Sequence, residues 1–275
     1  MLAALIIVFR EVIEAGMIVG IVAAVTKGVR GHGTWIAGGV LAGVLGSMIV
    51  AAFLGTIASA FAGSGNELFN ASILGIAVVM LAWHNIWMAR HGREMVVDLK
   101  QRGQAVAKGR ATLWGLAIVI AVALLREGSE VVLFLFGVTV SDGGSPLALL
   151  AGGLGGLVLG VLVSALTYAG LVKIPPRFLF GATSALIAFL AAGMAAQAIS
   201  FLEQGGIVNV LSGTVWNSSA ILSDHSIAGR VLHTLIGYSD RPSQLQVLGY
   251  LATLATIFGL MRMMAPPPMN RPSPA

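Results

Sequence analysis

The stretch Phe9-Arg10-Glu11-Val12-Ile13-Glu14 sits in the middle of an otherwise uncharged apolar run, about residues 2–25. About 20 apolar residues in a helix cross the ~30 Å hydrocarbon core of a bilayer. Even on the most lenient insertion scale, each charge at the centre of such a helix costs about 2.5 kcal/mol or more. Three charges in one run therefore say either that it is no membrane span or that the charges have work to do there. The second possibility gains weight because the arrangement recurs. Leu125-Arg126-Glu127-Gly128-Ser129-Glu130 lies in the middle of another long run, about 113–140.

The rest of the chain fixes the fold class. Of 275 residues, 57% are hydrophobic and only 10% charged, against roughly 25% charged in a soluble domain; mean hydropathy is +0.93. This excludes a soluble enzyme, a disordered protein and a nucleic-acid module. Cys is absent, so there is no disulfide, thiolate metal site or Cys nucleophile. Five further runs, about 35–58, 71–89, 147–172, 178–202 and 245–261, carry no charge in their cores. The expectation is an all-α polytopic membrane protein with seven transmembrane helices. A β-barrel would show short alternating segments instead.

Loop charge predicts orientation. Lys27, Arg30, Arg90, Arg93, Lys100, Arg102, Lys108, Arg110, Lys173, Arg177, Arg262 and Arg271 fall in alternate loops, 12 of the 16 basic residues. The positive-inside rule then puts the N-terminus outside and the C-terminus in the cytoplasm. The basic charge belongs to cytoplasmic loops rather than to a nucleic-acid surface. The outer loops hold Glu67, Asp142, Glu203, Asp224 and Asp240, read as solvated charge that could also concentrate a cation. No basic n-region or cleavage site precedes the first run, so it is not read as a removable signal peptide.

Helical geometry gives the motif its chemistry. Glu11 and Glu14, at i and i+3, share a face, and Arg10 reaches Glu14 at i+4. Glu127, Glu130 and Arg126 repeat this. Two arginines against four glutamates leave a surplus of two negative charges. Unpaired carboxylates in a low-dielectric interior take up protons or bind a cation, and carboxylate oxygens suit hard cations. The motifs recur at an offset of 116. Ala37-Gly38-Gly39 through Gly46 and Ala151-Gly152-Gly153 through Gly160 recur at 114. Helix 3 shows no clear match with helix 6. Three helices per unit make an inverted repeat of helices 1–3 and 4–6 plus a seventh. The two motifs then run antiparallel at mid-membrane, a transporter arrangement. The helix 2 and helix 5 glycines are read as allowing close packing.

With these residues in view, the chain resembles the high-affinity iron permease family, the oxidase-dependent iron transporters of bacteria and fungi. Phe9–Ala15 with Ile18-Val19-Gly20 is similar to the family's first Arg-Glu-Gly-Leu-Glu segment, and Leu125–Leu135 to its second. Met80–Arg90, Ala191–Met194, and the stretches Gly229–His233 and Gly237–Pro242 resemble its later blocks. Val12-Ile13 stands in place of Gly-Leu, and Ser129 in place of Leu; the charged residues are untouched. The resemblance implies import of ferric iron, with Glu11, Glu14, Glu127 and Glu130 as metal ligands and Arg10 and Arg126 as charge partners. It also implies an extracytoplasmic ferroxidase or iron-binding partner, and the compactness of the chain suits a bacterial inner membrane. Iron is then the transported substrate, with no cofactor permanently bound and no enzymatic activity in this chain. Alternatives are a permease for another metal such as lead or manganese, and a proton-coupled carrier of an organic solute.

Secondary candidates are His84, Gln197 and Glu67. His84 is read first as a hydrogen-bonded interior histidine, with a ligand or relay role as the alternative. Gln197 could line the path or hydrogen-bond in packing, and Glu67 would stand at the outer mouth. Asp224, His225 and His233 fall in the outer segment, and Trp35, Trp83, Trp87 and Trp114 read as interfacial anchors. The expected organisation is one permease domain over 1–265: repeat 1 at about 1–90, repeat 2 at about 112–202, an outer loop at 203–243 and helix 7 at about 245–264. A disordered tail, 266–275, follows.

Overall fold

The computed structural model describes residues 1–61, 66–142, 145–170, 176–224 and 226–264. The expected tail, Lys173 and His225 lie outside the described residues, as do the side chains of Arg93, Asp142 and Arg177. Eight helices make up the described chain: α1 (Leu2–Val25), α2 (His32–Phe61), α3 (Asn66–Ala107), α4 (Leu113–Asp142), α5 (Pro146–Tyr168), α6 (Pro176–Gln204), α7 (Ile227–Ile236) and α8 (Gln244–Met264). Among the described residues there is no strand, only an isolated bridge between Thr214 and Ser243. The protein is a multi-pass membrane protein. Stretches of α2, α3, α5, α6 and α8 are each long and apolar enough to cross a bilayer. α1 and α4 match them in length but carry the charged motifs.

Packing follows the glycines. α1 lies along α5 and α2 along α4, and these are the two most extensive helix pairings. Gly152, Gly156 and Gly160 of α5 sit successively against Met1, Leu5 and Phe9–Val12 of α1. Gly39, Gly43 and Gly46 of α2 sit against Ala117–Ile120, Ala121–Leu124 and Leu125 of α4. Both pairs are therefore parallel. A Cβ at Gly43 would lie 2.6 Å from that of Leu124, so only glycine lets these backbones approach so closely. α3 pairs with α6, and α6 with α8.

Two apolar clusters bracket the charges. One joins Ala3 and Ile7 of α1, Leu74 to Leu81 of α3, Phe134 and Val138 of α4, Ile187 to Met194 of α6, and Ile257 of α8. The other joins Ile18 and Val22 of α1, Ile36 of α2, Leu99 and Val106 of α3, and Leu116 to Leu124 of α4. The start of α1 thus meets the end of α4, and its end meets the start of α4, so these two helices are antiparallel. The motifs fall in the layer between the clusters.

Two expectations are corrected. The inner loop after helix 3 is helix as far as Ala107. Residues 90–107 contain no proline and many good helix formers among their Arg, Glu, Met, Leu, Lys, Gln and Ala, and Leu99 and Val106 bury against the end of α1 and the start of α4. The segment expected to be an outer loop contains α7. It starts at Ser226, whose hydroxyl accepts from Gly229 N at 2.9 Å, and stops at Gly237, held at φ 68°. That left-handed conformation suits glycine. α8 begins with a capping box: Gln246 N donates to Ser243 Oγ at 3.0 Å, and Ser243 N to Gln246 Oε1 at 3.2 Å.

Candidate metal centre

Seven of the nine predicted site residues converge in the layer between the apolar clusters: Arg10, Glu11 and Glu14 from α1, His84 from α3, and Arg126, Glu127 and Glu130 from α4. Arg10, Glu11 and Glu14 are almost fully buried, and so are His84 and Glu127. Glu11, His84, Glu127 and Glu130 each offer one ligand atom within 4.8 Å of the others. Glu14 borders this set, with Oε2 3.6 Å from His84 Nε2.

The ion pairs divide the carboxylates. Arg10 places NH1 2.9 Å from Glu11 Oε1 and NH2 3.1 Å from Glu14 Oε1. The second contact is the expected i, i+4 pair; the first joins neighbours in sequence, which helical spacing does not foretell. Arg126 Nε donates to Glu130 Oε1 at 3.0 Å. Its guanidinium carbon also lies 4.3 Å from the centre of the Trp87 ring, a cation–π contact. Trp87 is therefore more than an interfacial anchor: it holds a motif arginine, and it stacks on His91 with ring centres 5.1 Å apart.

His84 stands between the two motifs. Its Nδ1 pairs with Glu130 Oε2, and its Nε2 lies 3.8 Å from Glu11 Oε2. Asn85 beside it donates to Ser184 O at 2.9 Å and ties α3 to α6, which fixes where the histidine enters the layer. A lone histidine inside the uncharged run 71–89 was the available signal, but nothing local says that the run faces both motifs.

Several buried oxygens have no donor. Glu11 Oε2, Glu14 Oε2 and Glu127 Oε2 are buried and accept no hydrogen bond within the described protein, and Glu14 Oε1 has only its ion-pair contact with Arg10. A buried carboxylate oxygen left in this state is costly. Oxygens that converge without donors are what a cation would satisfy. Three carboxylates and one imidazole form a mixed set that fits iron and other divalent or trivalent first-row ions.

The remaining candidates lie outside this layer. Glu67 is exposed in the first turn of α3, close to Gly205. Gln197 is half-buried in α6. In the segment between α6 and α8, Glu203 accepts from Ser243 Oγ at 2.7 Å and from Gln246 Nε2 at 3.2 Å. Asp224 and Asp240 accept from each other's backbone N–H groups. His233 Nδ1 lies 2.7 Å from Tyr238 O. These groups brace the segment against the end of α6 and the start of α8.

Residues 1–266 match the Iron permease FTR1 family. The chain is similar to proteins named ferrous iron permease EfeU. In Escherichia coli O6:K15:H31 and in Shigella sonnei the identity is 33% over 247 residues, 88% of each chain. In Yersinia pestis it is 32% over 249 residues, 89% of this chain and 87% of the relative. No solved structure matches the chain.

Proposed function

This chain belongs to the Iron permease FTR1 family, and on that premise we propose that it imports iron across a bacterial cytoplasmic membrane through the cluster its two Arg-Glu-x-x-Glu motifs build. One observation carries the reading. Glu11, His84, Glu127 and Glu130 bring ligand atoms within 4.8 Å of one another, in a layer with apolar packing on both sides. Ionisable groups at this depth are retained for function rather than for stability. Glu14, engaged by Arg10, completes the acidic set as a neighbour of the ion.

The proposed topology has seven spans, α1 to α6 and α8, with the N-terminus outside. It is supported by the loop charges and by the antiparallel run of α1 and α4. The inverted repeat is supported by packing: exchanging α1 with α4 and α2 with α5 turns the α1–α5 pair into the α4–α2 pair. An ion arriving from outside, delivered by an extracytoplasmic ferroxidase or iron-binding protein, exchanges its water for the carboxylates. It leaves toward the basic loops.

Ferric iron is the first reading of the cargo, because three of the four donors are carboxylates and suit a hard ion. A ferrous reading is favoured by two observations. The motif charges sum to −2, which a divalent ion neutralises, and His84 adds an imidazole donor. Uptake of radioactive iron in a transport-deficient host tests both. Glu11→Gln and Glu127→Gln should each abolish most uptake at equal expression; wild-type rates in both would refute the site. Ferrozine, which sequesters ferrous iron, should leave uptake intact if the cargo is ferric and stop it if ferrous. Competition by manganese and lead reads selectivity.

A further inference from the structure

Of the four residues that offer ligand atoms, Glu130 alone is not buried. Its side chain is 12% exposed, and that of its partner Arg126 is 38% exposed. Neither lies near a membrane surface. Arg126 falls between Leu124 and Phe134, which belong to the two apolar clusters. It is 13 positions past Leu113, the first residue of α4, or about 20 Å along the helix. An arginine snorkels to the interface only from near a helix end. A guanidinium carries five N–H donors. Arg126 commits Nε to Glu130 Oε1 and one ring face to Trp87. Its four terminal N–H groups have no acceptor among the described residues. In hydrocarbon such donors have to be satisfied within the protein, so donors left open at this depth require water. Arg10, in the same layer, is enclosed and faces two carboxylates.

Two turns beyond His84, on the same face of α3, comes His91. It lies between His84 and Leu99, a member of the second apolar cluster, and stacks on Trp87, the ring that also carries Arg126. Its Nδ1 is 3.2 Å from Trp87 O. A carbonyl only accepts, so Nδ1 holds the proton and Nε2 of the neutral ring keeps its lone pair. Metal-binding histidines are commonly oriented in this way, with the other nitrogen donating to a carbonyl or carboxylate. We infer that water enters between α3 and α4 as far as Arg126, that the ion leaves the cluster past Glu130 by this route, and that His91 Nε2 is the first ligand it meets. Arg126 stands beside the route as the counter-charge that Glu130 keeps once the ion has gone. The wetting follows from Arg126 and its depth; the cargo and the inward direction rest on the proposed function.

The chain contains no cysteine, so single introduced cysteines report water, because a thiol reacts as its thiolate. Val122 lies one turn before Arg126 on the same face of α4 and is 60% exposed; Val79, on the outer half of α3, is 68% exposed. In membrane fragments open on both faces, the anionic reagent 2-sulfonatoethyl methanethiosulfonate should modify Val122→Cys at least about tenfold faster than Val79→Cys. Equal rates, or slow modification of both, overturn the crevice. His91→Phe keeps a ring on Trp87 and removes the nitrogen. It should lower the maximal rate of iron uptake about tenfold with little change in half-saturating iron, and His91→Asp, which restores a donor, should recover much of that rate. A wild-type maximal rate in His91→Phe, or an equal loss in His91→Asp, overturns the role of His91; the cysteine pair decides the route even if a histidine variant does not fold. If Glu11→Gln and Glu127→Gln leave uptake intact while Val122→Cys is modified selectively, the assignment of the cluster to iron fails and the crevice stands.

Discussion

The two Arg-Glu-x-x-Glu motifs share their charged residues and spacing but not their circumstances. Arg10 is 1% exposed and bonds two carboxylates, Glu11 and Glu14, from inside the helix assembly. The Arg126 side chain is 38% exposed, bonds Glu130 alone, and rests on Trp87. The reason lies in the neighbours. α1 is packed by α3, α4, α5 and α6 together, so its arginine has nowhere to go but onto its own glutamates. Arg126 meets the indole of α3 instead, which leaves Glu127 with no arginine. A duplicated motif thus yields one closed ion pair and one partly open one, and it leaves carboxylate oxygens without a donor on Glu11, Glu14 and Glu127.

The largest expected effect tests the closed half. Arg10→Met should cost about 3–5 kcal/mol of stability, because it strands two buried carboxylates. Arg126→Met should cost under about 1 kcal/mol. Denaturant midpoints in detergent measure both, and equal losses would erase the asymmetry. Next comes the open half: Glu127→Gln should lower iron uptake about 10- to 100-fold, as losses at metal sites do, and Glu14→Gln should lower it less. The reverse order would reassign the ligands. His84→Ala should reduce uptake about tenfold and narrow the preference for iron over manganese, since imidazole suits iron and carboxylate alone suits manganese; an unchanged ratio would leave His84 a packing residue. Smallest of all, Trp87→Ala should weaken the hold on Arg126 by about 0.5–1 kcal/mol. That should appear as a few-fold change in half-saturating iron, with no change when Arg126 is already methionine.

Much of this was legible in the sequence. Period and charge spacing placed both motifs on helix faces, and the offsets of 116 and 114 foretold that α1 and α4 would stand in related surroundings. The i, i+4 pairs of Arg10 with Glu14 and Arg126 with Glu130 formed as the spacing required. What stayed hidden depends on contacts between helices far apart in sequence. His84 belongs to a run whose composition reads as lipid-facing or core, and only the docking of α3 between the motifs makes it a neighbour of Glu130. Trp87 read as an anchor because its partner arginine lies 39 positions away. The continuation of α3 to Ala107 was masked by its charge, which resembles a loop's; Leu99 and Val106, buried against α1 and α4, decide it.

The bracketed layer also has an electrical consequence. The motif begins nine residues into α1, a helix of 24 residues, so in the proposed topology the ion site lies well inside the voltage drop rather than at either surface. Each elementary charge crossing the whole membrane exchanges about 2.3 kcal/mol per 100 mV with the field. An ion of two or three charges that reaches this depth collects roughly half of its share merely by arriving. With the cytoplasm negative, the resting potential itself should therefore draw iron into the cluster and hold it there. Occupancy would then follow membrane voltage, and a collapsed potential should weaken loading even with abundant iron outside.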